Sequence, residues 1–247
     1  MNLLEHAALF VSGLIAGSYS TLVGGGTLLT VPVLLLLGVP PHTAVATNRV
    51  GVLGLSITGW VAFQQQGLIR HTVSSIIGIA CGAGAVAGAM VFLNLSDVVL
   101  QRIIGAVGLG LLFFTALQKD AGIQSPGFCH PRRWIAGIPA AFILGAYGSI
   151  YGAGLGTFLT YLLVFVFGQT FLESAGTRKF ALGLQSLVAS ALYWRAGLID
   201  WPSAANLFIS MGIGSYIGAR YGTKLGNLWI RRLFLTVAAV LTLKAVL

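Results

Sequence analysis

Charge is what this sequence has least of. Aspartate and glutamate together number 5 in 247 residues, and charged residues of both signs make up 8%, where a soluble domain carries about 25%. With 57% hydrophobic residues and a mean hydropathy of +0.92, a soluble fold is excluded, because so apolar a surface would aggregate. The chain reads as an integral membrane protein. Cysteine is scarce as well. Cys81 lies in an apolar run and Cys129 in a polar loop, so neither a disulfide nor a metal or redox spacing is expected. No carboxylate lies well inside an apolar run, so no proton relay stands out. There is no nucleophile triad and no metal-ligand cluster. Gly24-Gly25-Gly26 is not followed by Gly-Lys-Ser/Thr, which leaves a nucleotide site unsupported. Enzymatic activity and a resident cofactor are therefore not expected. The net charge of +9 does not indicate nucleic acid, because the basic residues are scattered in ones and twos between apolar runs, as topology signals are. The N-terminus has no basic leader region and no cleavage site, so the first apolar run is expected to be retained.

What the sequence has is glycine, 34 residues of it, in places where a membrane helix should resist it. Gly24-Gly25-Gly26-Thr27-Leu28-Leu29-Thr30 sits inside a long apolar run. Each glycine costs a helix about 1 kcal/mol. In a bilayer, freed backbone groups are tolerated only where they are buried in protein or line a wet cavity. The stretch recurs as Gly154-Leu155-Gly156-Thr157-Phe158-Leu159-Thr160, 130 positions later (24 to 154). Matched helix breaks in two halves of a hydrophobic chain mark a transporter's binding site.

Apolar runs fall at 3–23, 27–37, 44–63, 72–93 and 98–117, and again at 134–150, 155–167, 175–194, 202–221 and 228–247. A full span needs about 20 residues, so the second run of each half predicts a half-helix or one arm of a re-entrant hairpin. Gly38-Val39-Pro40-Pro41-His42 must end a helix. The polar stretch 119–133 divides a first repeat, 1–118, from a second, 134–247. A shift of 130 residues aligns the halves without a gap and gives roughly twice the identities that so biased a composition gives by chance. The matches include Thr27/Thr157, Thr30/Thr160, Gly38/Gly168, Thr47/Thr177 and Gly67-Leu68-Ile69/Gly197-Leu198-Ile199, and Gly82, Gly84 and Gly88 against Gly212, Gly214 and Gly218. With the N-terminus outside, ten of the 14 lysines and arginines fall on the cytoplasmic side, Arg70, Lys119, Arg178 and Lys179 among them, and Arg49, Arg102, Arg195 and Lys244 fall outside. That bias supports the orientation and makes the halves inverted repeats of about five helical segments each, with both termini outside. The predicted class is an all-α polytopic membrane protein.

The candidate substrate-binding residues are Gly24, Gly25, Gly26 and Thr27 at the first break, and Gly154, Gly156 and Thr157 at the second. An unwound segment followed by a half-helix N-terminus presents amides and a positive dipole end to an anion. The same glycines also suit close helix crossing, and the threonines bonds within their own turn. A second pair of candidates, Asn48 and Arg49 against Arg178 and Lys179, opens the long helix after each half-helix. There the cations are expected to attract an anion, each near one entrance, or to snorkel to lipid headgroups. Glu173 and His42 are candidate proton binders in matching loops, or plain solvated loop residues. Tyr19, Tyr147 and Tyr151 are placed to line the cavity or to pack.

Gly24-Gly25-Gly26-Thr27-Leu28 with Pro32, followed by Gly38-Val39-Pro40-Pro41-His42-Thr43-Ala44-Val45-Ala46-Thr47-Asn48, resembles the TauE/SafE family of sulfite exporters, as does Gly152-Ala153-Gly154-Leu155-Gly156. The resemblance covers essentially the whole chain. It implies transport of small sulfur-containing anions such as sulfite, sulfoacetate or other organosulfonates across the bacterial inner membrane. The second half has Gly176-Thr177-Arg178-Lys179 where the first has Ala46-Thr47-Asn48-Arg49, so Asn48 has no amide counterpart. The expected function is secondary transport by alternating access, with proton coupling suggested by the missing ATP motif. The alternatives are a permease or channel for another small anion or metabolite, or a membrane subunit of a partner enzyme.

Overall fold

The computed structural model describes residues 2–104, 106 and 132–225, and every regular element among them is helical. In the first half α1 spans Leu3–Leu22, α2 Thr27–Leu36, α3 Pro41–Gln64 and α4 His71–Leu93; a fifth helix, α5, runs over 97–104. In the second half α6 spans Arg132–Ile150, α7 Leu155–Phe165, α8 Phe171–Arg195 and α9 Trp201–Leu225. The helices follow the apolar runs closely, and the two short runs become the short helices α2 and α7. The runs at 107–117 and 226–247 lie outside the described residues.

Local chemistry sets the ends. Asn2 and Glu5 form a capping box at the start of α1, and Thr170 and Glu173 form one at the start of α8, each satisfying two otherwise orphaned amides. At α3, Pro41 occupies the first turn, where its missing donor costs nothing. Left-handed glycines recur at the shift of 130: Gly24 and Gly154, Gly38 and Gly168, Gly67 and Gly197.

The two halves do not pack as separate bodies. α1 packs along α9, and α6 along α4. α3 packs along α9, and α8 along α4, while α3 and α8 pack against each other. Each outer helix of one half therefore lies on a helix of the other. Small residues allow this. A Cβ at Gly84 or Gly88 of α4 would meet the backbone of Phe142 or Ala146 in α6, and one at Gly214 or Gly218 of α9 would meet the backbone of Leu14 or Ser18 in α1. Membrane helices approach closely through such small residues four apart. The small-residue matches at 84/214 and 88/218 are thus crossing points.

The outer surface carries Val11, Ile15, Ile57, Ile79, Met90, Ile143, Leu187, Ile213 and Ile217, all well exposed. Among the described residues one helix, His71–Leu93, combines the length of a membrane span with high apolarity, at a mean hydropathy of 2.2 in its most apolar window. α3 and α8 are as long but carry Thr47, Asn48, Arg49, Arg178, Lys179 and Gln185 on buried faces. An apolar exterior around a polar interior is what a bilayer requires.

Candidate functional site

The two breaks touch. α1 ends at Leu22 and α2 begins at Thr27; α6 ends at Ile150 and α7 begins at Leu155. Gly24 and Gly25 hold φ of 94° and 87°, and Gly152 and Gly154 hold 66° and 69°, a region that L side chains rarely adopt. Gly24 lies directly against Gly156 and the Thr157 amide, so that a Cβ there would collide with them. The Thr157 hydroxyl donates to the Val23 carbonyl at 2.9 Å. Neither α2 nor α7 has a side-chain cap; the amides of Leu28, Leu29 and Leu155 turn back to the carbonyls of Gly25, Gly26 and Gly152 within the breaks.

Two residues of α3 serve this junction. Asn48 donates from Nδ2 to Thr27 Oγ1 at 3.1 Å and accepts from Thr30 Oγ1 at 2.6 Å, binding α2 to α3. Arg49 crosses to the other half and donates from Nη2 to the Tyr151 carbonyl. Its guanidinium lies over Gly152, where a Cβ would fill its place. Its Nε and Nη1 have no partner among the described residues.

Two residues of α8 do the corresponding work. Arg178 donates from Nη1 to the Gly156 carbonyl at 2.7 Å and to Thr160 Oγ1, and from Nη2 to the carbonyls of Ser20 and Thr21 at 3.1 and 3.0 Å. Lys179 donates to Thr21 Oγ1 at 3.0 Å and Ser215 Oγ at 3.4 Å. The shift of 130 relates these bonds. Asn48 meets Thr30 as Arg178 meets Thr160, and Arg49 reaches residue 151 as Lys179 reaches residue 21. The asymmetry in sequence, Asn48 opposite Arg178, is met by symmetric placement.

Asn48, Arg49, Arg178 and Lys179 are each 0% exposed. The cations do not sit at entrances; they lie two turns inside their helices, at the centre of the packing. Among the described residues the two ion pairs are His42 with Asp97, at 2.5 Å, and Arg70 with Glu173, at 3.1 Å. Both lie at helix ends, and among the described residues no buried carboxylate faces the three buried cations. Glu173 and His42, the candidate proton binders, are taken up by these pairs. Tyr147 donates to the Ala153 carbonyl at 2.6 Å, bracing the second break, and Tyr151 contributes its carbonyl to Arg49.

A small cavity of about 20 Å³ lies between the breaks. Its polar lining is Ser20, Gly25, Gly26, Thr27, Arg49, Gly152 and Gly156. Of the sequence-predicted residues, all but Lys179 thus lie at the junction of the breaks: Gly24 and Thr157 meet across it, Gly154 opens α7, and Asn48 and Arg178 brace it. Lys179 is held one layer away, by α1 and α9. Sequence reasoning missed Thr21 and Ser215 as its partners, because residues so far apart in the chain leave no local signal. Thr30 and Thr160 did carry one, their identity in the repeat register.

An interior this cationic, built on broken helices inside an apolar shell, defines a membrane transport protein rather than a soluble fold. The model of the family described as Sulfite exporter TauE/SafE matches residues 9–245, and the chain belongs to that family. It is 24% identical over 240 residues to a Sinorhizobium protein named Probable membrane transporter protein ORF9, covering 96% of this chain and 91% of the relative. It is 25% identical over 240 residues to Probable membrane transporter protein YfcA of Escherichia coli K12, covering 96% and 87%. A probable membrane transporter protein of Haemophilus influenzae is 26% identical over 248 residues, covering 97% and 94%. No solved structure gives a significant match.

Proposed function

We propose that the protein is a secondary transporter of small sulfur-containing anions, such as sulfite, sulfoacetate or another organosulfonate, and that it works as an exporter. The carrying observation is the cluster Arg49, Arg178 and Lys179, fully buried with no buried carboxylate beside it among the described residues. Buried charge is costly unless paired, and a site that gathers positive charge without a resident anion favours an anionic solute. Arg49 contributes the direct contact, because two of its nitrogens are unpartnered among the described residues and it lines the cavity between the breaks. Gly25, Gly26, Thr27 and Gly156 line the same cavity and bring backbone amides to it. Asn48 and Arg178 hold the half-helices in place. A planar guanidinium with paired donors suits a sulfonate or sulfite oxygen pair.

The halves act as inverted repeats about this site. The recurring left-handed glycines and the matched reach of residues 49 and 179 support that reading. A cavity of about 20 Å³ holds little more than one water, so this conformation is closed, and admission of an anion requires α2 and α7 to part on one side at a time. The protein belongs in the bacterial inner membrane with both termini outside, and its transport is coupled to protons. The test is uptake into proteoliposomes of radiolabelled sulfite, sulfoacetate, taurine and simple carboxylates. Saturable flux of the sulfur anions is expected. Flux of carboxylates alone would overturn the substrate class, and unsaturable flux would favour a channel.

A further inference from the structure

Lys179 is the buried cation that neither lines the cavity between the breaks nor braces the half-helices. It is absent from the lining of the cavity between the breaks, and its bonds go to two hydroxyls, Thr21 Oγ1 on α1 and Ser215 Oγ on α9. The space for it is made by Gly59 on α3, where a Cβ would meet Lys179 Cε and Nζ at 2.7 and 2.8 Å. Its repeat partner is Arg49. An arginine keeps its proton in proteins, whereas a lysine amine can lose one. The same position in the two halves thus holds one permanent cation and one that can be neutral.

The two hydroxyls satisfy Lys179 in both forms. As an ammonium it donates to Thr21 and Ser215, while the Thr21 hydroxyl points to the Gly17 carbonyl at 2.8 Å and the Ser215 hydroxyl to the Leu55 carbonyl at 2.7 Å. As an amine it has a lone pair, and Thr21, which also lies 2.7 Å from Ser215 Oγ, can turn its hydrogen to Nζ while Ser215 keeps Leu55. A carboxylate partner would fix the charged form; two hydroxyls do not. The charged group facing Lys179 is Arg178, its neighbour on α8. α1 presents Thr21, α3 Gly59 and α9 Ser215, none of which titrates, and Tyr19 of α1 faces Arg178.

We propose that Lys179 is the proton-carrying site of the transport cycle, protonated while an anion is bound and neutral when the site is empty. The inference rests on the anion-site reading above. When the anion binds, Nζ takes one proton from the water on the open side and forms an N–H bond. When the anion leaves on the other side, that bond breaks and the proton passes to water there. Anion and proton travel together because each reduces the electrostatic cost of the other. The empty site then returns with two buried cations instead of three. By linkage, the proton must strengthen anion binding by the same factor as the anion strengthens proton binding.

The experiment is isothermal titration of the purified full-length protein with sulfoacetate, in two buffers of different ionisation enthalpy. Sulfoacetate stays doubly ionised through the neutral range, so a proton taken up goes to the protein. Wild type is expected to take up about one proton per sulfoacetate bound. Lys179→Arg, fixed in the charged form, should bind sulfoacetate within about tenfold of wild type and take up none. Lys179→Gln, fixed neutral but able to bond both hydroxyls, should bind more weakly and take up none. Proton uptake persisting in either variant, or wild type binding sulfoacetate without a proton, would overturn this inference alone. Wild type that binds neither sulfoacetate nor sulfite would overturn the anion-site reading, and this inference with it.

Discussion

The hydroxyl of Thr157 donates to the carbonyl of Val23 at 2.9 Å, a bond between residues 134 apart in the chain. It joins the start of one half-helix to the unwound end of α1, so the breaks are a single structural unit. Thr157→Val should loosen that unit by about 1 kcal/mol. The measurement is thermal unfolding in detergent, where the expected drop is about 2–4 °C. Thr157→Ser, which keeps the hydroxyl, should retain most of the stability.

Gly24 and Gly38 separate two effects of a glycine. Both hold positive φ, 94° and 81°. A Cβ at Gly24 would press on Thr157 and Gly156, whereas one at Gly38 would meet nothing within 4 Å. Gly38→Ala should cost the backbone strain alone, about 1 kcal/mol. Gly24→Ala should cost about 3 kcal/mol or more and abolish transport. Equal losses in the two variants would show that contact between the breaks contributes nothing.

Arg49 and Arg178 should respond differently to lysine. Arg178 bonds three carbonyls and Thr160, so Arg178→Lys should fall mainly on stability, by about 2 kcal/mol as bonds to a charged group are lost. Among the described residues Arg49 has a single bond and two unpartnered nitrogens, so Arg49→Lys should fall on anion affinity, raising Kd at least about tenfold. Titration calorimetry and melting curves on both variants check the division.

The helix crossings can be tested away from the site. Gly88→Val on α4 and Gly218→Val on α9 would each drive a side chain into the backbone of the facing helix, at Ala146 and Ser18 respectively. Overpacking of this kind costs about 1–3 kcal/mol. Both variants should melt earlier by similar amounts, with anion affinity unaffected in the protein that remains folded.

Much of this was legible in the residues, for identifiable reasons. The half-helices at 27–36 and 155–165 announced themselves because an apolar run too short to cross, opened by glycine, has few other uses. Thr27, Thr157, Asn48 and Arg178 stood out because polar groups next to such breaks are rare in an apolar chain, and the structure brings them to the junction. The positions of the cations were not found. A helix-opening Arg49 reads as an entrance or headgroup residue until the packing shows its side chain crossing to Gly152. Thr21 and Ser215 were missed because hydroxyls are ordinary in membrane helices, and only proximity to Lys179 distinguishes these two.

Alone, the sequence determined the helical class, the membrane setting, the repeat register and the two breaks, because each follows from composition and spacing along the chain. The tertiary structure decided which half each helix packs on, that the breaks touch, and that three cations converge without a buried acid among the described residues. Those outcomes depend on which backbones approach closely enough for a glycine to be needed. That distance is set between helices remote in sequence, where the one-dimensional pattern carries no record of it.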